Sequence, residues 1–258
     1  MRRARSNKPL ASRMQRPERN VAVEMVRGAF AAIWLPFTWA AGAPAAAMAL
    51  VRRATRPAGE PGQSARIERL DTGKWTRDLL KHLEWRRLEE LCTAYFEELG
   101  FKTGITHDRA DGGVDISLYA AGADSAAMLV HCKAWDAYPI GIKPVRELRV
   151  AMTSANVAGG VMVTTGRFTP EAAGFAAKEN IQLIDGAAFL EKLVALLPEK
   201  ALALLKFATK GDFLTPTCPR CSLKMTGRKS TREGRMFWGC QNYPRCKHTF
   251  SNTTISPA

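Results

Sequence analysis

Apolar positions in the middle of the chain recur with two different periods. From Trp75 to Leu99 they lie three and four residues apart, which predicts one face of a helix that ends before Gly100. Further along, short apolar runs of strand length alternate with helical patterns, and Thr169 followed by Pro170 has the residue types that begin a helix. The later predicted elements are strands at 101–106, 114–119, 126–132, 160–165 and 181–184, and helices at 145–155, 170–179 and 187–197.

These elements follow one another in the order α-β-β-β-α-β-α-β-α. Three early strands followed by a β-α-β portion imply a mixed sheet with helices on both faces. The pattern therefore predicts an α/β domain over residues 75–200. A linker rich in proline and glycine precedes it at 52–74, and a separate small module follows it at 213–252.

The N-terminal part of the chain has a different pattern. Residues 1–27 are rich in arginine and poor in apolar periodicity, which predicts a basic, disordered tail. Residues 28–51 carry no charge and are long enough to span a bilayer, although Pro36 and Pro44 interrupt them. Three interpretations are open: a membrane anchor that tethers the protein to the cytoplasmic face of the inner membrane, an extension of a cytoplasmic protein, and translation that starts later, for example at Met25.

Charge changes this picture, because it is unevenly distributed. Residues 57–217 carry nineteen basic and twenty-one acidic residues, whereas residues 218–250 carry eight basic residues and one acidic residue. Concentrated positive charge is typical of a protein segment that binds a polyanion, either nucleic acid or an anionic membrane. The C-terminal module is therefore a candidate for such contacts.

Four cysteines in this module have the spacing of a metal site. Cys218 and Cys221 are separated by two residues, eighteen residues follow, and Cys240 and Cys246 are separated by five. Two thiolate pairs at such spacing suit a tetrahedral, structural Zn²⁺ site. The other two cysteines, Cys92 and Cys132, lie in apolar surroundings and are predicted to be buried thiols.

The segment FWGCQNYPRC, residues 237–246, resembles the C-terminal zinc finger of type IA DNA topoisomerases. In that family the module contacts single-stranded DNA, so the resemblance implies a DNA partner with a preference for single strands. Aromatic side chains can stack on bases and basic side chains can contact phosphates, although the aromatic residues could instead form the small core of the module. The candidate DNA-binding residues are Arg220, Lys224, Arg228, Lys229, Arg235, Trp238, Tyr243, Arg245 and Lys247.

Four segments of the middle domain form a second pattern. They are LEEL at 88–91, DGGVDI at 111–116, HCK at 131–133 and VTTG at 163–166. In this order and on these elements they resemble the Mrr-type restriction endonuclease domain, a branch of the PD-(D/E)xK nuclease superfamily. The resemblance implies a restriction-endonuclease-like mixed sheet flanked by helices, and a divalent-metal-dependent endodeoxyribonuclease with restriction-like activity.

The resemblance also implies catalytic roles. Asp115 would be the principal ligand of Mg²⁺ or Mn²⁺, and Lys133 would contact the scissile phosphate or the attacking water. Glu89 would complete the site, with the alternative that it is a solvated helix carboxylate beside Glu90. His131 departs from the family pattern, which has glutamine or glutamate two residues before the lysine.

The departure at His131 leaves several possibilities open. The imidazole could ligate a nitrogen-tolerant ion such as Mn²⁺, it could act as a base, or activity could be reduced or lost. The alternative function is therefore a catalytically inactive DNA-binding protein on a nuclease scaffold. A membrane-tethered factor for DNA uptake or repair is a further possibility that depends on residues 28–51.

Overall fold

The computed structural model describes residues 68–105, 114–134, 138–231 and 234–251. The predicted basic tail, the candidate anchor at 28–51, most of the linker and the turn at Asp111–Gly113 lie outside these ranges. Among the helices in the described ranges, none has the length and apolar character needed to cross a bilayer.

A five-stranded mixed sheet lies at the centre of the fold. Its strands occur in the order β1-β2-β3-β4-β5, so each strand pairs with its neighbour in sequence. The β1–β2 and β2–β3 pairs are antiparallel, and the β3–β4 and β4–β5 pairs are parallel. The predicted α/β class and mixed sheet are confirmed. The elements are α1 (Arg77–His82), α2 (Trp85–Glu98), β1 (Lys102–Ile105), β2 (Ile116–Tyr119), β3 (Met128–Lys133), α3 (Ile142–Ser154), β4 (Gly159–Thr164), α4 (Pro170–Lys178), β5 (Ile181–Ile184), α5 (Gly186–Val194) and α6 (Pro198–Ala208).

The two central strands, β3 and β4, are almost completely buried because helices pack against the sheet. One core cluster joins α3 and α4 to the sheet, with Leu148, Ala172, Leu129 and Met162 among its members. On α2 the apolar face is also buried, and Tyr95 packs edge-on against Phe189 of α5 with ring centroids 5.6 Å apart. These contacts hold the ends of β2 and β3 between layers of helices.

The helix predicted from Trp75 to Leu99 is two helices in the structure. The chain is extended at Leu83 and Glu84, and the Glu84 carboxylate accepts a hydrogen bond from the Arg86 N–H at the start of α2. The apolar period continues through this break because Leu79, Leu80 and Leu83 are all buried. The periodicity of apolar residues alone therefore does not reveal the break between α1 and α2.

A helix that the pattern did not separate, α6, follows α5. The predicted closing helix at 187–197 ends at Val194, and Pro198 begins α6, because proline fits the first turn of a helix but not its interior. The predicted domain end at residue 200 falls inside α6, which packs on α2: Arg87 donates from Nη1 to the Phe207 carbonyl at 2.9 Å.

The C-terminal residues 215–251, called the ribbon below, form a three-stranded antiparallel sheet in the order β6-β7-β8. A short pairing of Thr217 with Lys224 precedes these strands and encloses the first cysteine pair. The strands are β6 (Met225–Lys229), β7 (Met236–Cys240) and β8 (Thr249–Ser251).

Candidate active site and metal centre

Asp115 lies at the entrance to β2 and is held against β3. Its N–H donates to the Val130 carbonyl at 3.0 Å, and its Oδ2 accepts a hydrogen bond from the Cys132 N–H at 2.5 Å. Nδ1 of His131, a residue only 7 % exposed, lies 3.5 Å from the same Oδ2 atom. The carboxylate predicted to bind a metal is therefore fixed beside the end of β3.

Lys133 is the last residue of β3 and is half-buried. It lies on the same face of the strand as His131, because residues two apart on a strand point to the same side. Its carbonyl accepts hydrogen bonds from the Thr164 hydroxyl at 2.8 Å and from the Thr165 N–H at 3.4 Å. The Thr164 hydroxyl also accepts the Gly166 N–H at 3.1 Å. Thr164 is thus the residue that anchors the backbone of Lys133, a role that the VTTG segment did not reveal.

Glu89 lies on α2, and its charge acts on the buried Cys132 thiol. The pKa of the buried Cys132 thiol is raised well above its ordinary value, first by its hydrogen bond with Cys92 and by burial, and then by nearby negative charges that include Asp115 and Glu89. The charges of both carboxylates therefore act on one thiol at the end of β3.

Glu90 faces a different environment. Its Oε1 atom lies 3.7 Å from Nε of Arg86, and its Oε2 atom lies 3.6 Å from Nε of Arg87. Of the adjacent pair on α2, Glu89 is thus the residue whose charge reaches the end of β3, whereas Glu90 pairs with basic residues on its own helix.

The four cysteines of the ribbon converge. In the ranges that the structure describes, they are the only group of three or more potential metal-ligating side chains whose ligand atoms all lie within 4.8 Å of one another. Sγ of Cys218 lies 3.7 Å from that of Cys246, and Sγ of Cys221 lies 3.2 Å from that of Cys240. Tetrahedral zinc with Zn–S bonds of about 2.3 Å has S–S edges of about 3.8 Å, so the four sulfurs could surround one such ion after small shifts.

Backbone amides reach two of the four sulfurs. The His248 N–H lowers the pKa of Cys246, which favours the charged form that a metal binds, whereas burial raises the pKa of Cys218 and of Cys240. The Asn242 N–H donates to Sγ of Cys240 at 3.4 Å. An all-sulfur, tetrahedral donor set with such contacts fits structural zinc.

The exposed face of the ribbon carries a basic groove of about 570 Å³. Tyr243 at its edge is 59 % exposed, and the Arg228 guanidinium lies 5.5 Å from the centre of its ring. Trp238 is only half-buried, and the basic residues Arg220, Arg235 and Arg245 are exposed outside the groove lining. The groove is lined by Arg228, Lys229, Phe237, Tyr243, Lys247 and His248, together with neighbouring small residues. His248 was not among the predicted DNA-binding residues.

Lys224 has a different environment from the other predicted DNA-binding residues. Its Nζ donates to Oε1 of Glu84 at 3.1 Å and to the Thr215 carbonyl at 2.8 Å. The ammonium group therefore joins the ribbon to the start of α2 and is not part of the groove.

Comparison with known proteins gives partial matches. The uncharacterized protein y4cE of Sinorhizobium fredii (strain NBRC 101917 / NGR234) is 33 % identical over 97 residues, which are 37 % of this chain and 25 % of that protein. The chain thus spans a quarter of this relative.

Two restriction enzymes are among the similar solved structures. The DNA modification-dependent restriction endonuclease AspBHI is 22 % identical with a TM-score of 0.40, over 64 % of this chain and 44 % of that one. The MspJI restriction endonuclease, solved in complex with a 27-mer oligonucleotide, is 18 % identical with a TM-score of 0.36, over 64 % and 40 %. The chain spans less than half of each enzyme.

Family models match both parts of the chain. Residues 80–193 match the Mrr catalytic model, described as restriction endonuclease, and residues 215–254 match the model described as topoisomerase DNA binding C4 zinc finger. The first match contains every predicted catalytic residue, and the second contains all four cysteines. Residues 80–193 therefore form a domain of the Mrr-type restriction endonuclease family, which this chain joins to a C4 zinc ribbon of the topoisomerase type.

Proposed function

We propose that this protein is a divalent-metal-dependent endonuclease that hydrolyses phosphodiester bonds in DNA. The observation that carries the proposal is the hydrogen bond that fixes Asp115 against the Cys132 N–H, next to Lys133, inside a match to the restriction endonuclease family. Restriction-like selection of foreign or modified DNA is the biological setting that the family suggests.

Asp115 and Glu89 would hold Mg²⁺ or Mn²⁺. Mg²⁺ suits such a pair, because proteins hold it with one or two carboxylates plus water and substrate phosphate. When bound, such an ion supplies positive charge to the reacting phosphate and acidifies water.

Residues of this chain would make the other contributions to catalysis. The Cys132 N–H fixes Oδ2 of Asp115, so the carboxylate is oriented before DNA binds. Lys133 brings a cation to the scissile phosphate, and Thr164 holds its backbone in place. Prepositioned charges of this kind stabilise a transition state because they need little rearrangement during the reaction.

We further propose that the ribbon adds largely sequence-independent DNA affinity and prefers single strands. Its exposed Tyr243 offers a stacking surface, and Arg228, Lys229 and Lys247 around the same groove offer phosphate contacts. Arg220, Arg235 and Arg245 extend the positive surface.

Purified protein incubated with methylated and unmethylated supercoiled plasmid, in Mg²⁺ or Mn²⁺, tests the proposed activity. Conversion to open-circular or linear plasmid in one of these metals, and its absence without divalent metal, is the expected result. Intact plasmid in every combination would overturn the assignment as a nuclease active on these substrates.

A second candidate function is DNA binding without cleavage. The observation that favours it is His131, which stands where the family has an oxygen ligand and lies 3.5 Å from the proposed metal ligand Asp115. Binding of plasmid fragments with no cleavage in Mg²⁺ or Mn²⁺ is the result expected of this candidate.

A further inference from the structure

Glu84 is a buried carboxylate that joins the ribbon to the helix of the candidate active site. It is 2 % exposed and precedes the first residue of α2. Its Oε1 accepts hydrogen bonds from the Thr217 hydroxyl at 2.9 Å and from Nζ of Lys224 at 3.1 Å. Its Oε2 accepts the N–H groups of Arg86 and Thr217, each at 3.2 Å. One carboxylate thus caps α2 and binds the ribbon at the same time.

The next residue strengthens this junction. Nε1 of Trp85 donates to the Thr217 carbonyl at 2.7 Å in a buried contact, and the Glu84 N–H donates to the Phe213 carbonyl at 3.0 Å. Thr217 therefore uses its N–H, its hydroxyl and its carbonyl to contact the first two residues of the α2 region.

Both ribbon partners of Glu84 flank the turn of the first cysteine pair. Thr217 and Lys224 pair across the turn that contains Cys218 and Cys221, and the Cys218 N–H donates to the Leu223 carbonyl inside that turn at 2.8 Å. Thr217 is bonded directly to the first zinc ligand. Because metal binding supplies the folding energy of such small modules, loss of zinc would release this turn.

Release of the turn would leave Glu84 with an uncompensated buried charge. Removal of one partner from a buried ion pair is strongly destabilising, so α2 would have to shift or fray at its start to hydrate the carboxylate. The Glu84 carbonyl accepts the first helical hydrogen bond of α2, from the Leu88 N–H at 3.0 Å, and Glu89 is the next residue. The proposed active-site carboxylate is thus one turn away from the junction.

We infer that zinc in the ribbon is energetically coupled to the position of α2, with Glu84, Thr217 and Lys224 as positioning residues. The effect on cleavage rests on the proposed nuclease function, whereas the coupling itself does not. Coupling between two sites is reciprocal, so weakening the Glu84 junction must also weaken zinc binding.

Zinc transfer from the full chain to a colorimetric chelator tests this reciprocity. Glu84→Gln keeps the shape but removes the charge that Lys224 pairs with, and Thr217→Val removes the hydroxyl. Each is expected to lower zinc affinity by about tenfold, within the usual range of such couplings. Glu90→Gln, a matched change at a more exposed carboxylate on the same helix, is expected to alter it less than twofold. Zinc affinity unchanged in both Glu84→Gln and Thr217→Val would overturn the inference.

Hydrogen exchange of the wild-type chain gives a second measurement that needs no variant to fold. Removal of zinc by a zinc-selective chelator, with Mg²⁺ in excess, is expected to accelerate exchange at the first turns of α2 at least tenfold. Exchange in α4, on the other layer, should stay within twofold. Equal protection of α2 with and without zinc would contradict the coupling.

If the protein cleaves DNA, zinc removal should lower kcat at saturating DNA and not only raise KM, because a merely additive binding module would affect KM alone. If it cleaves nothing, the zinc-affinity and exchange measurements still decide the inference. Failure of the proposed function and failure of the coupling are therefore distinguishable.

Discussion

At the scale of single residues, the candidate site depends on one carboxylate with a fixed orientation. Asp115 accepts a backbone hydrogen bond from β3, and its Oδ2 lies beside His131. Both side chains are polar and largely buried, with 15 % of the Asp115 side chain and 9 % of the His131 side chain exposed.

Asp115→Ala and Lys133→Ala are each expected to reduce DNA cleavage on the order of a hundredfold or more, because the first removes a proposed metal ligand and the second removes the cation proposed to contact the scissile phosphate. The proteins should remain folded, as measured by circular dichroism alongside plasmid cleavage. Asp124→Ala, a change at an exposed carboxylate in the β2–β3 loop, serves as the control. Cleavage by Asp115→Ala at the wild-type rate would show that the active site lies elsewhere.

His131→Gln tests the departure from the family pattern. Glutamine supplies the oxygen ligand that Mg²⁺ prefers, so Mg²⁺-dependent cleavage should be maintained or increased relative to the wild type, while the advantage of Mn²⁺ should shrink. Initial rates in the two metals measure this. A variant that loses activity in both metals would instead assign an essential role to the imidazole.

At the scale of elements, the strands follow from local sequence and some helix boundaries do not. Apolar runs predict β4 and β5 closely, and Thr169 caps α4 as expected, since its hydroxyl accepts the Ala172 N–H at 3.2 Å. The break before α2 could not be predicted, because Glu84 becomes a cap through partners at positions 217 and 224. Local patterns contain no information about contacts so distant in sequence.

In the candidate site, too, some residues could be identified from local sequence, whereas the environments of others depend on contacts that only the fold reveals. Asp115, His131 and Lys133 could be identified from short motifs, and the structure brings them together at the ends of neighbouring strands. Glu89 was also named from the sequence, with a solvated carboxylate as the alternative, and the structure adds that its neighbour Glu90 forms ion pairs with arginines on α2. Lys224 looked like its basic neighbours in the sequence, and only the fold reveals that it contacts Glu84.

Tyr95 provides a pH test of the packing of α2 against α5. Burial, reinforced by the negative charge of Cys92, raises the pKa of Tyr95 to about 12 from its usual value of 10.0. A phenol whose folded pKa is raised contributes full stability below its unfolded pKa and loses it as pH rises towards the folded value. The free energy of unfolding should therefore fall by up to about 3 kcal/mol between pH 10 and 12. Denaturant titrations should show this component absent in Tyr95→Phe.

At the scale of the whole molecule, charge and chemistry are divided between two parts of the chain. The segment that contains the proposed catalytic residues has a slight excess of acidic residues, whereas the ribbon is strongly basic. Under the proposed function, this division would assign long-range attraction of DNA to the ribbon and bond cleavage to the central domain.

Arg228→Ala and Tyr243→Ala should separate the ionic contribution of the groove to DNA affinity from the contribution of base stacking. Arg228→Ala should reduce the slope of log affinity against log salt by about one, because one phosphate contact is lost. Tyr243→Ala should weaken single-strand binding by about 1–3 kcal/mol with an unchanged salt slope, because stacking is not ionic. Fluorescence anisotropy over a salt series measures both, with Lys178→Ala, at the end of α4, as a control outside the ribbon. Equal behaviour of all three variants would exclude the groove as a DNA site.

Glu84 limits how such a protein can be shortened or recombined. Three of its hydrogen-bond donors, the N–H and hydroxyl of Thr217 and the ammonium of Lys224, belong to the ribbon. A truncation before residue 213 would expose the Glu84 carboxylate and the Trp85 indole, which the intact chain buries. The ribbon therefore cannot be removed or replaced without affecting the central domain. A chimera with a foreign C4 ribbon would need threonine at 217 and lysine at 224, or an uncharged residue at 84, to keep the parent's thermal stability.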